Sequence, residues 1–374
     1  AEMDIVRGLS IRLEDVSVRS PRAEEPELTA RSVWVVVQLL PLLEKRIEVK
    51  KIIVQGASLR VVRDAKGNFS VGDVKKWITQ PAESNLFKVL TASLMNQLMV
   101  EDGAIHFLDY YNRPPEDPIP LDLKHIHFSV RKNLLDSPFQ FTLKGEIPNG
   151  GAPTAFQVSG AFDNFSEKQG FTGISINGKA RVNELNVSNF QPYLKKVLAK
   201  PPQDSWLSLD SSFSGNLGGA LKSQGTLKYS SRMKNERPTF RDARVPHRGG
   251  LEYNISLDKD SIHIEELKMD SGPFKFKAKA SLTDFLSKEP SVSFDLVTDS
   301  FQVNKSFDYL PLKFFPEEYH ALVQSRFKNG SIKIKSLKFA GSLNQLQELA
   351  QEKNRGLISS EFEMKQVDWQ APLP

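Results

Sequence analysis

The stretch FKFKAKA, from Phe274 to Ala280, alternates apolar and basic side chains residue by residue. Side chains two apart along a β-strand lie on the same face, so the stretch predicts a strand with one apolar and one solvated face. The same alternation recurs in Leu251–Leu257 and in Ser331–Lys335. Because such runs extend from end to end, the sequence predicts a mainly β protein, a long curled antiparallel β-meander forming a groove, with a few inserted helices.

Composition limits the classes of function. The chain has 374 residues, enough for two domains or one elongated sheet, and its 39% hydrophobic content is low for several compact cores. With no cysteine, disulfides and thiolate metal sites are excluded. The net charge of +5 comes from 50 basic and 45 acidic residues scattered along strands. This pattern is typical of a solvated face, and no nucleic-acid motif accompanies it, so no nucleic-acid partner is predicted.

Helical spacing and prolines suggest where the sheet is interrupted. We expect N-terminal strands and a short helix over 1–83, a helix insert over 84–99, an extended antiparallel sheet over 100–300, and C-terminal helices and strands continuing the sheet over 301–374. Further helices are predicted near 188–200 and over 342–354, and broken helical pieces over 305–323. The apolar stretch Val33–Leu43 is too short to cross a bilayer and predicts a buried strand and turn.

Glycine recurs before many of the alternating runs. We expect it to form the hairpin turns from which the strands start, because such turns require positive φ. The candidate turn glycines are Gly56, Gly103, Gly160, Gly178, Gly225 and Gly330. The meander would then grow by the addition of hairpins at irregular spacing.

Few residues suggest a reaction. His125 and His127, with His106 nearby, are candidate metal ligands, but two histidines without a third ligand more often decorate a solvated face. Gly215–Ala220 lacks the Gly-Lys-Ser/Thr ending of a phosphate loop, and a hairpin turn accounts for it. We therefore predict no metal site, no cofactor and no enzymatic activity.

Acidic residues offer a second catalytic possibility, a glycosidase pair among Asp102, Asp109, Asp122 and Asp136. In a chain with 45 acidic residues some pair is always available, and the sequence does not select one.

Phenylalanine dominates the aromatic residues, with 24 Phe against 7 Tyr and 4 Trp. Because Phe has no polar group, this composition disfavours a sugar- or base-stacking surface. Two interpretations remain, an ordinary core between two sheets or an apolar trough wide enough for hydrocarbon chains. We take the more apolar face of each strand as the candidate lipid-binding lining: Ile105, Phe107, Phe139, Phe141, Leu143, Phe156, Val158, Ile174, Ile176, Leu207, Leu209, Tyr253, Ile255, Phe274, Phe276, Phe294 and Leu296.

The stretch from Ala30 to Val74 resembles the opening of the AsmA family of bacterial envelope proteins. ARSVWVVV at 30–37 leads into LLPLL at 39–43, followed by RIEVKKIIVQG at 46–56, the strand LRVVR at 59–63 and the turn DAKGNF at 64–69. The similarity returns at 100–109, 121–130, 182–194 and 207–229. Two departures are Ala57, where family members often have proline, and the lack of a tryptophan near Phe69.

This resemblance implies a periplasmic protein tethered to the inner membrane of a Gram-negative bacterium. The fold it implies is a long curled sheet with an apolar interior, related in architecture to bridge-like lipid-transfer proteins. Its partners would be phospholipid or another acyl-chain lipid, the inner membrane, and outer-membrane proteins. Family members typically begin with a membrane-spanning helix, which this chain lacks, so we expect the chain to begin just after it.

Three functions stay open. The first is a groove that shields or conducts phospholipid acyl chains between the membranes and supports outer-membrane biogenesis. The second is a non-catalytic scaffold for outer-membrane protein assembly, acting through strand edges that pair with client proteins. The third is an enzyme acting on envelope polysaccharide, for which the sequence supplies no convergent acid pair.

Overall fold

The computed structural model of the protein is mainly β, as the alternation predicts. It describes residues 2–4, 8–19, 25–45, 48–65, 67, 70, 97–111, 118–132, 137–149, 151–163, 171–194, 204–231, 239–240, 243–244, 248–272, 274–285, 287, 289–302, 329–349 and 351–366. The chain divides into two compact units: unit 1 is residues 1–183 with 213–219, and unit 2 is residues 184–212 with 220–374.

The strands dominate both units. In chain order they are β1 (Glu2–Asp4), β2 (Gly8–Val18), β3 (Leu28–Val37), β4 (Val49–Gln55), β5 (Ser58–Arg63), β6 (Gln97–Asp109), β7 (Ile119–Lys132), β8 (Phe139–Ile147), β9 (Thr154–Asp163), β10 (Ser175–Asn186), β11 (Ser205–Asn216), β12 (Leu221–Ser231), β13 (Thr239–Phe240), β14 (Ala243–Arg244), β15 (Arg248–Leu257), β16 (Ser261–Asp270), β17 (Lys275–Thr283), β18 (Ser291–Thr298), β19 (Phe301–Gln302), β20 (Ser331–Ser342) and β21 (Ile358–Lys365).

Unit 1 is an antiparallel meander with one parallel insertion. β1 pairs with β2, β2 with β3, and each strand from β6 to β9 with the strand that follows it, all antiparallel. β4 and β5 lie between β3 and β6, antiparallel to β3 and parallel to β6. Their register against both neighbours is unbroken across Gly56 and Ala57. They therefore act as one long strand with a local distortion.

Unit 2 is also an antiparallel meander. β12 pairs with β15, and β15, β16, β17 and β18 pair successively, all antiparallel. β18 and β19 then pair with β20 in one continuous register, and β20 pairs with β21. β13 and β14 form a separate short hairpin. Within the described residues, the antiparallel meander predicted from the sequence is confirmed.

The helices are short and few in the described part of the chain. They are α1 (Leu39–Leu43), α2 (Gln191–Leu194) and α3 (Leu343–Gln347), with 3₁₀ turns at Phe171–Gly173, Val187–Phe190 and Glu352–Leu357. α1 takes the place of the turn predicted after the strand at Val33, and α2 and α3 fall within the predicted helices at 188–200 and 342–354. Of the predicted helix at 84–99, residues 84–96 lie outside the described residues, and Gln97 already begins β6. The pieces predicted over 305–323 also lie outside them.

The prediction that glycine forms the hairpin turns is wrong for most of the candidates. Gly103, Gly160, Gly178 and Gly225 lie inside β6, β9, β10 and β12. Gly160, Gly178 and Gly225 permit close backbone approach: a Cβ on Gly160 would stand 2.0 Å from the Asn177 carbonyl oxygen, too near for any side chain. Gly56 and Gly330 do have the predicted positive φ, 61° and 106°. Gly56 lies between β4 and β5, whereas Gly330 immediately precedes β20.

A row of left-handed residues crosses neighbouring strands of unit 1. Asp15 in β2, Gly56 between β4 and β5, Asp102 in β6 and His125 in β7 have φ values of 48°, 61°, 52° and 48°. The Gly56 amide donates to the carbonyl oxygen of Glu101, the residue before Asp102, at 2.9 Å, and Asp102 Oδ1 lies 3.1 Å from His125 Nδ1. β3 lies between Asp15 and Gly56. Positive φ in a strand is the signature of a β-bulge or kink.

The left-handed residues exchange the two faces of a strand. Val100 in β6 lies opposite Phe128, and Ile105 lies opposite Leu123. Phe128 pairs with Leu143 of β8, while Lys124, next to Leu123, pairs with Glu146, so Phe128 and Leu123 both lie on the Leu143 face. Val100 and Ile105 therefore share a face although their positions differ by five, an odd number. Asp102 and His125 keep the apolar side chains on one side of the sheet.

Replacement of Asp15 by valine should lower the free energy of unfolding by about 1–2 kcal/mol, because a β-branched residue tolerates positive φ poorly. Asp15→Gly should be neutral or stabilising, since glycine adopts this conformation without a steric penalty. The measurement is the midpoint of urea denaturation. Ser17→Val in the same strand is the matched control, and an equal loss there would contradict the role given to Asp15.

Candidate functional site

The apolar face of unit 1 is built from unbroken cross-strand rows. Residues directly opposite each other in paired strands project from the same face, so the registers trace each row across the sheet. Two rows cross eight strands from β2 to β10. The first is Leu13, Val33, Val54, Val100, Phe128, Leu143, Val158 and Ala180, and the second is Ile11, Val35, Ile52, Leu98, Val130, Phe141, Gly160 and Gly178. Neither row contains a charged residue.

Unit 2 has corresponding rows on one face. Ile255 aligns with Ile264, Ala280, Phe294, Phe339 and Ile358 across β15 to β21. Tyr253 aligns in the same way with Leu267, Ala278, Leu296 and Leu337. The opposite face carries charged pairs, such as Lys279 opposite Asp295 and Lys338 opposite Asp295. Unit 2 therefore has one apolar and one charged face, whereas the opposite face of unit 1 carries the buried Ser32, Trp34 and Ile53.

The structure brings the predicted lining residues together on these faces. In unit 1, Phe139, Phe141 and Leu143 of β8 pair with Phe162, Gly160 and Val158 of β9, and Phe156 pairs with Gly145 and Val182. Ile176 pairs with Phe162, Ile174 precedes β10, and Ile105 and Phe107 pair with Leu123 and Leu121.

In unit 2, Phe276 pairs with Met269, and Phe274 precedes β17. Tyr253, Ile255, Phe294 and Leu296 belong to the rows described above. Leu207 and Leu209 share the face of Ser211, which bonds to Tyr253.

Most of these side chains remain partly accessible to solvent. Only Ile174 and Phe274, at 4% and 8% exposure, are buried. Each belongs to a small cluster: Ile174 packs with Leu98, Val130 and Phe162, and Phe274 packs with Phe301 and Ile334. The other predicted residues are half-buried. The apolar faces thus have a buried centre and an extended region that solvent still reaches.

Glycine and aromatic residues are paired across strands on these faces. Gly145 lies opposite Phe156 and Gly225 opposite Tyr253. A Cβ on Gly145 would stand 2.7 Å from Phe156 Cζ, and one on Gly178 would stand 2.6 Å from Phe213 Cζ, so each ring lies against its glycine. This arrangement lets a large ring lie flat on the sheet and leaves space above it.

Two concavities lie along the rows of unit 2. One, of about 720 Å³, is lined by three consecutive residues from each of six strands, with Leu227, Leu251, Met269, Phe276, Thr298 and Ile334 at the centres. The other, of about 510 Å³, is lined in the same way around Ile264, Ala280, Phe294 and Phe339. Volumes of this size accommodate a substantial part of an acyl chain or a drug-sized ligand.

A small hydroxyl cluster interrupts the apolar face of unit 2. Tyr253 Oη donates to Ser211 Oγ at 2.8 Å, and Ser211 Oγ lies 3.0 Å from Ser223 Oγ. Ser205 and Tyr229 form a second hydroxyl pair at 3.0 Å, and burial raises the pKa of Tyr229. These hydroxyl groups hydrogen-bond to one another, so their desolvation on the apolar face costs little free energy.

The catalytic candidates are dispersed. His106 Nδ1 lies 3.0 Å from Asp122 Oδ1, and His125 is paired with Asp102, while His127 is exposed. Asp109 is buried near Arg63, and Asp136 lies outside the described residues. Across the described ranges, no group of three or more His, Cys, Asp or Glu residues is arranged to hold a metal ion.

Sequence reasoning missed much of the lining. The rows also contain Ile11, Leu13, Val33, Ile52, Val54, Val100, Phe128, Val130, Leu267, Leu337 and Phe339. A signal for them was present, because the apolar alternation shifts by one residue at each bulge. In β7 it runs Leu121 and Leu123, then Ile126, Phe128 and Val130.

Comparison with known proteins leaves the chain without an assigned family. No protein-family model matches it, and no curated protein is significantly similar to it. Among the described residues, no helix has both the length and the apolar character needed to cross a membrane.

Substitution of Gly225 by alanine should lower the free energy of unfolding by about 2 kcal/mol or more, because its Cβ would overlap the Asp210 carbonyl oxygen and crowd Tyr253. The matched control is Gly250→Ala in the paired strand, where no atom lies within 4 Å of the added Cβ. That control should be neutral or slightly stabilising. Urea denaturation of both variants tests the pair, and equal stability of the two would refute the close packing.

Proposed function

We propose that this protein shields or conducts the acyl chains of phospholipid on its apolar sheet faces. The observation that carries the proposal is the pair of uncharged rows that cross eight strands of unit 1 while most of their side chains stay accessible. An ordinary core would bury these side chains. A surface that receives hydrocarbon needs them accessible and continuous.

The energetics suit a passive carrier. Exposure of a methylene to water costs about 0.8 kcal/mol, so exposure of a two-chain lipid costs on the order of 20 kcal/mol. A continuous apolar face removes most of this cost without any covalent step. The isolated histidine–carboxylate pairs agree with a role that needs no catalysis. Absence of enzymatic activity is part of the proposal.

The resemblance of Ala30–Val74 to the AsmA family supplies the setting. We place the protein in the periplasm of a Gram-negative bacterium, tethered to the inner membrane, where it supports outer-membrane biogenesis. An acyl-chain route between the two membranes would use a long antiparallel sheet of the kind seen in each unit. The finer assignments, which are lipid transport, periplasmic location and membrane tethering, rest on this resemblance.

A second candidate is a scaffold that pairs with client strands. Within the described residues, β21 pairs only with β20, and its Phe362 and Met364 are 45% and 51% exposed. Ile11 and Leu13 of β2, which lie beyond the residues of β2 that pair with β1, are 48% and 49% exposed. Exposed apolar residues on an outer strand are the features that strand addition uses.

Native mass spectrometry of protein purified without detergent should reveal bound phospholipid, which solvent extraction then identifies. A control protein of similar charge should carry none. An apo mass with no uptake from offered vesicles would overturn the lipid proposal for this chain and favour the scaffold.

The double variant Phe141→Asp with Phe276→Asp should lose bound lipid and keep its β-sheet circular dichroism, because a carboxylate in the apolar row excludes hydrocarbon. The matched control is Gln140→Asp with Gln157→Asp, which makes the same change in charge at exposed positions of the opposite face. It should retain lipid. If the double variant unfolds globally while each single substitution, Phe141→Asp or Phe276→Asp, retains lipid, the apolar rows form an ordinary core.

A further inference from the structure

The two concavities of unit 2 differ in charge. Six lysines and three carboxylates line the larger one: Lys228, Lys268, Lys275, Lys277, Lys333 and Lys335 against Glu252, Asp270 and Asp299. Glu266 and Glu361 lie beside it and pair with Lys268 and Lys335, which leaves a surplus of one positive charge. The smaller one has two lysines and two carboxylates, Lys279 and Lys338 against Glu265 and Asp295. An anion therefore has an electrostatic reason to choose the larger concavity.

Several of these lysines are already neutralised. Lys268 Nζ lies 2.7 Å from Glu266, Lys275 lies 2.7 Å from Asp270, and Lys335 lies 3.3 Å from Glu361. Hydrogen bonding to these carboxylates raises the pKa of Lys268 and Lys275, so both stay charged at neutral pH. These three lysines are held by the protein itself.

The surplus is carried by the remaining lysines. Lys228 and Lys277 form no ion pair with any residue that the structure describes, and Lys333 shares Glu363 with Lys335 and Lys365. Lys277 is directly opposite Lys268 on one side and Val297 on the other. Like charges directly opposite each other in antiparallel strands destabilise the pair. Glu266 already neutralises Lys268, so an anion beside Lys277 would compensate the charge that remains.

Position favours a ligand with both charged and apolar parts. The lining triplets lie near one end of the strands, close to the first residues of β15, β17 and β20 and the last residues of β16 and β18. Each triplet has a member of the apolar face between two members of the charged face. The lysines project from the face opposite Leu251, Met269 and Phe276, so the ligand would curl around the ends of the strands. Its anion would then lie beside the lysines while its hydrocarbon covers the apolar face.

We propose that this concavity binds the phosphate of an anionic lipid headgroup, with Lys277 as the central cation and Lys228 and Lys333 beside it. The inference rests on the proposed function and adds to it the class of cargo and the place where the headgroup sits. Phosphate is the shared chemistry, and a free phosphate is the other source of it.

Vesicles with equal amounts of dioleoyl phosphatidylglycerol and dioleoyl phosphatidylcholine test the proposal. The full chain is incubated with them and re-isolated, and its bound lipids are quantified by mass spectrometry. Wild-type protein should be enriched in phosphatidylglycerol. The variant Lys228→Gln with Lys277→Gln should reduce this enrichment about five-fold, the effect of losing two exposed charge contacts. Added salt should reduce the wild-type enrichment as well.

The matched control is Lys222→Gln with Lys279→Gln. It makes the same charge change on the same two strands, outside the larger concavity, and Lys279 faces Asp295 where Lys277 faces Lys268. Its enrichment should equal that of the wild type. Equal loss in both variants, or lipid uptake without headgroup preference, overturns the inference and leaves the proposed function intact.

Equilibrium dialysis with inorganic phosphate separates the two sources. Phosphate binding that depends on Lys228 and Lys277, without any lipid uptake, would support the anion site with a free phosphate as its ligand and would overturn the lipid function. Absence of both phosphate binding and lipid uptake overturns both proposals.

Discussion

The apolar side chains of neighbouring strands must stay opposite one another, and the rest of unit 1 depends on this constraint. Cross-strand pairs each contribute roughly 0.2–1 kcal/mol, so two rows crossing eight strands add up to a large stabilisation only while the register holds. A shift of one residue in a single strand would move residues of the opposite face, such as Lys144 of β8, into the row. The left-handed residues Asp15, Gly56, Asp102 and His125 reverse the alternation at the same level of adjacent strands, so the rows stay apolar on both sides of the bend.

The same constraint explains the unusual composition of the faces. Large rings are placed against glycine, as Phe156 is against Gly145, and hydroxyls are placed where they bond to each other, as Ser211 does to Tyr253. Ala278 and Ala280 take the corresponding positions in β17, beside Leu296 and Phe294. The surface that results is apolar and has open volume above it. That combination is the physical basis of the proposed lipid function, because hydrocarbon needs both cover and space.

Much of the fold and of the candidate lining could be predicted from the sequence. Alternation in Phe274–Ala280 and Leu251–Leu257 predicts strands with one apolar and one solvated face. The residues on the more apolar side of each strand are those that the registers place on common faces. The parallel pairing of β4 and β5 with β6 could not be predicted, because alternation carries no information on strand direction. Glycines inside strands cannot be told from turn glycines in the sequence, because one residue type serves both positive φ and close backbone approach. The excess charge near Lys277 depends on which lysines find carboxylates across strands, and that follows only from the register.

The parallel insertion in unit 1 has a consequence for how the chain reaches its native state. From β6 to β10 each strand meets the next through a short connection, whereas β5 ends at Arg63 and β6 begins at Gln97, and the two run in the same direction. Closing this longer loop costs entropy before any pair in it forms. The hairpins from β6 onward therefore have the kinetic advantage, and β3, β4 and β5 join a sheet edge that already exists. Until they do, the outer edge of β6 is open to other strands, which makes the N-terminal strands the protective cover of a growing sheet.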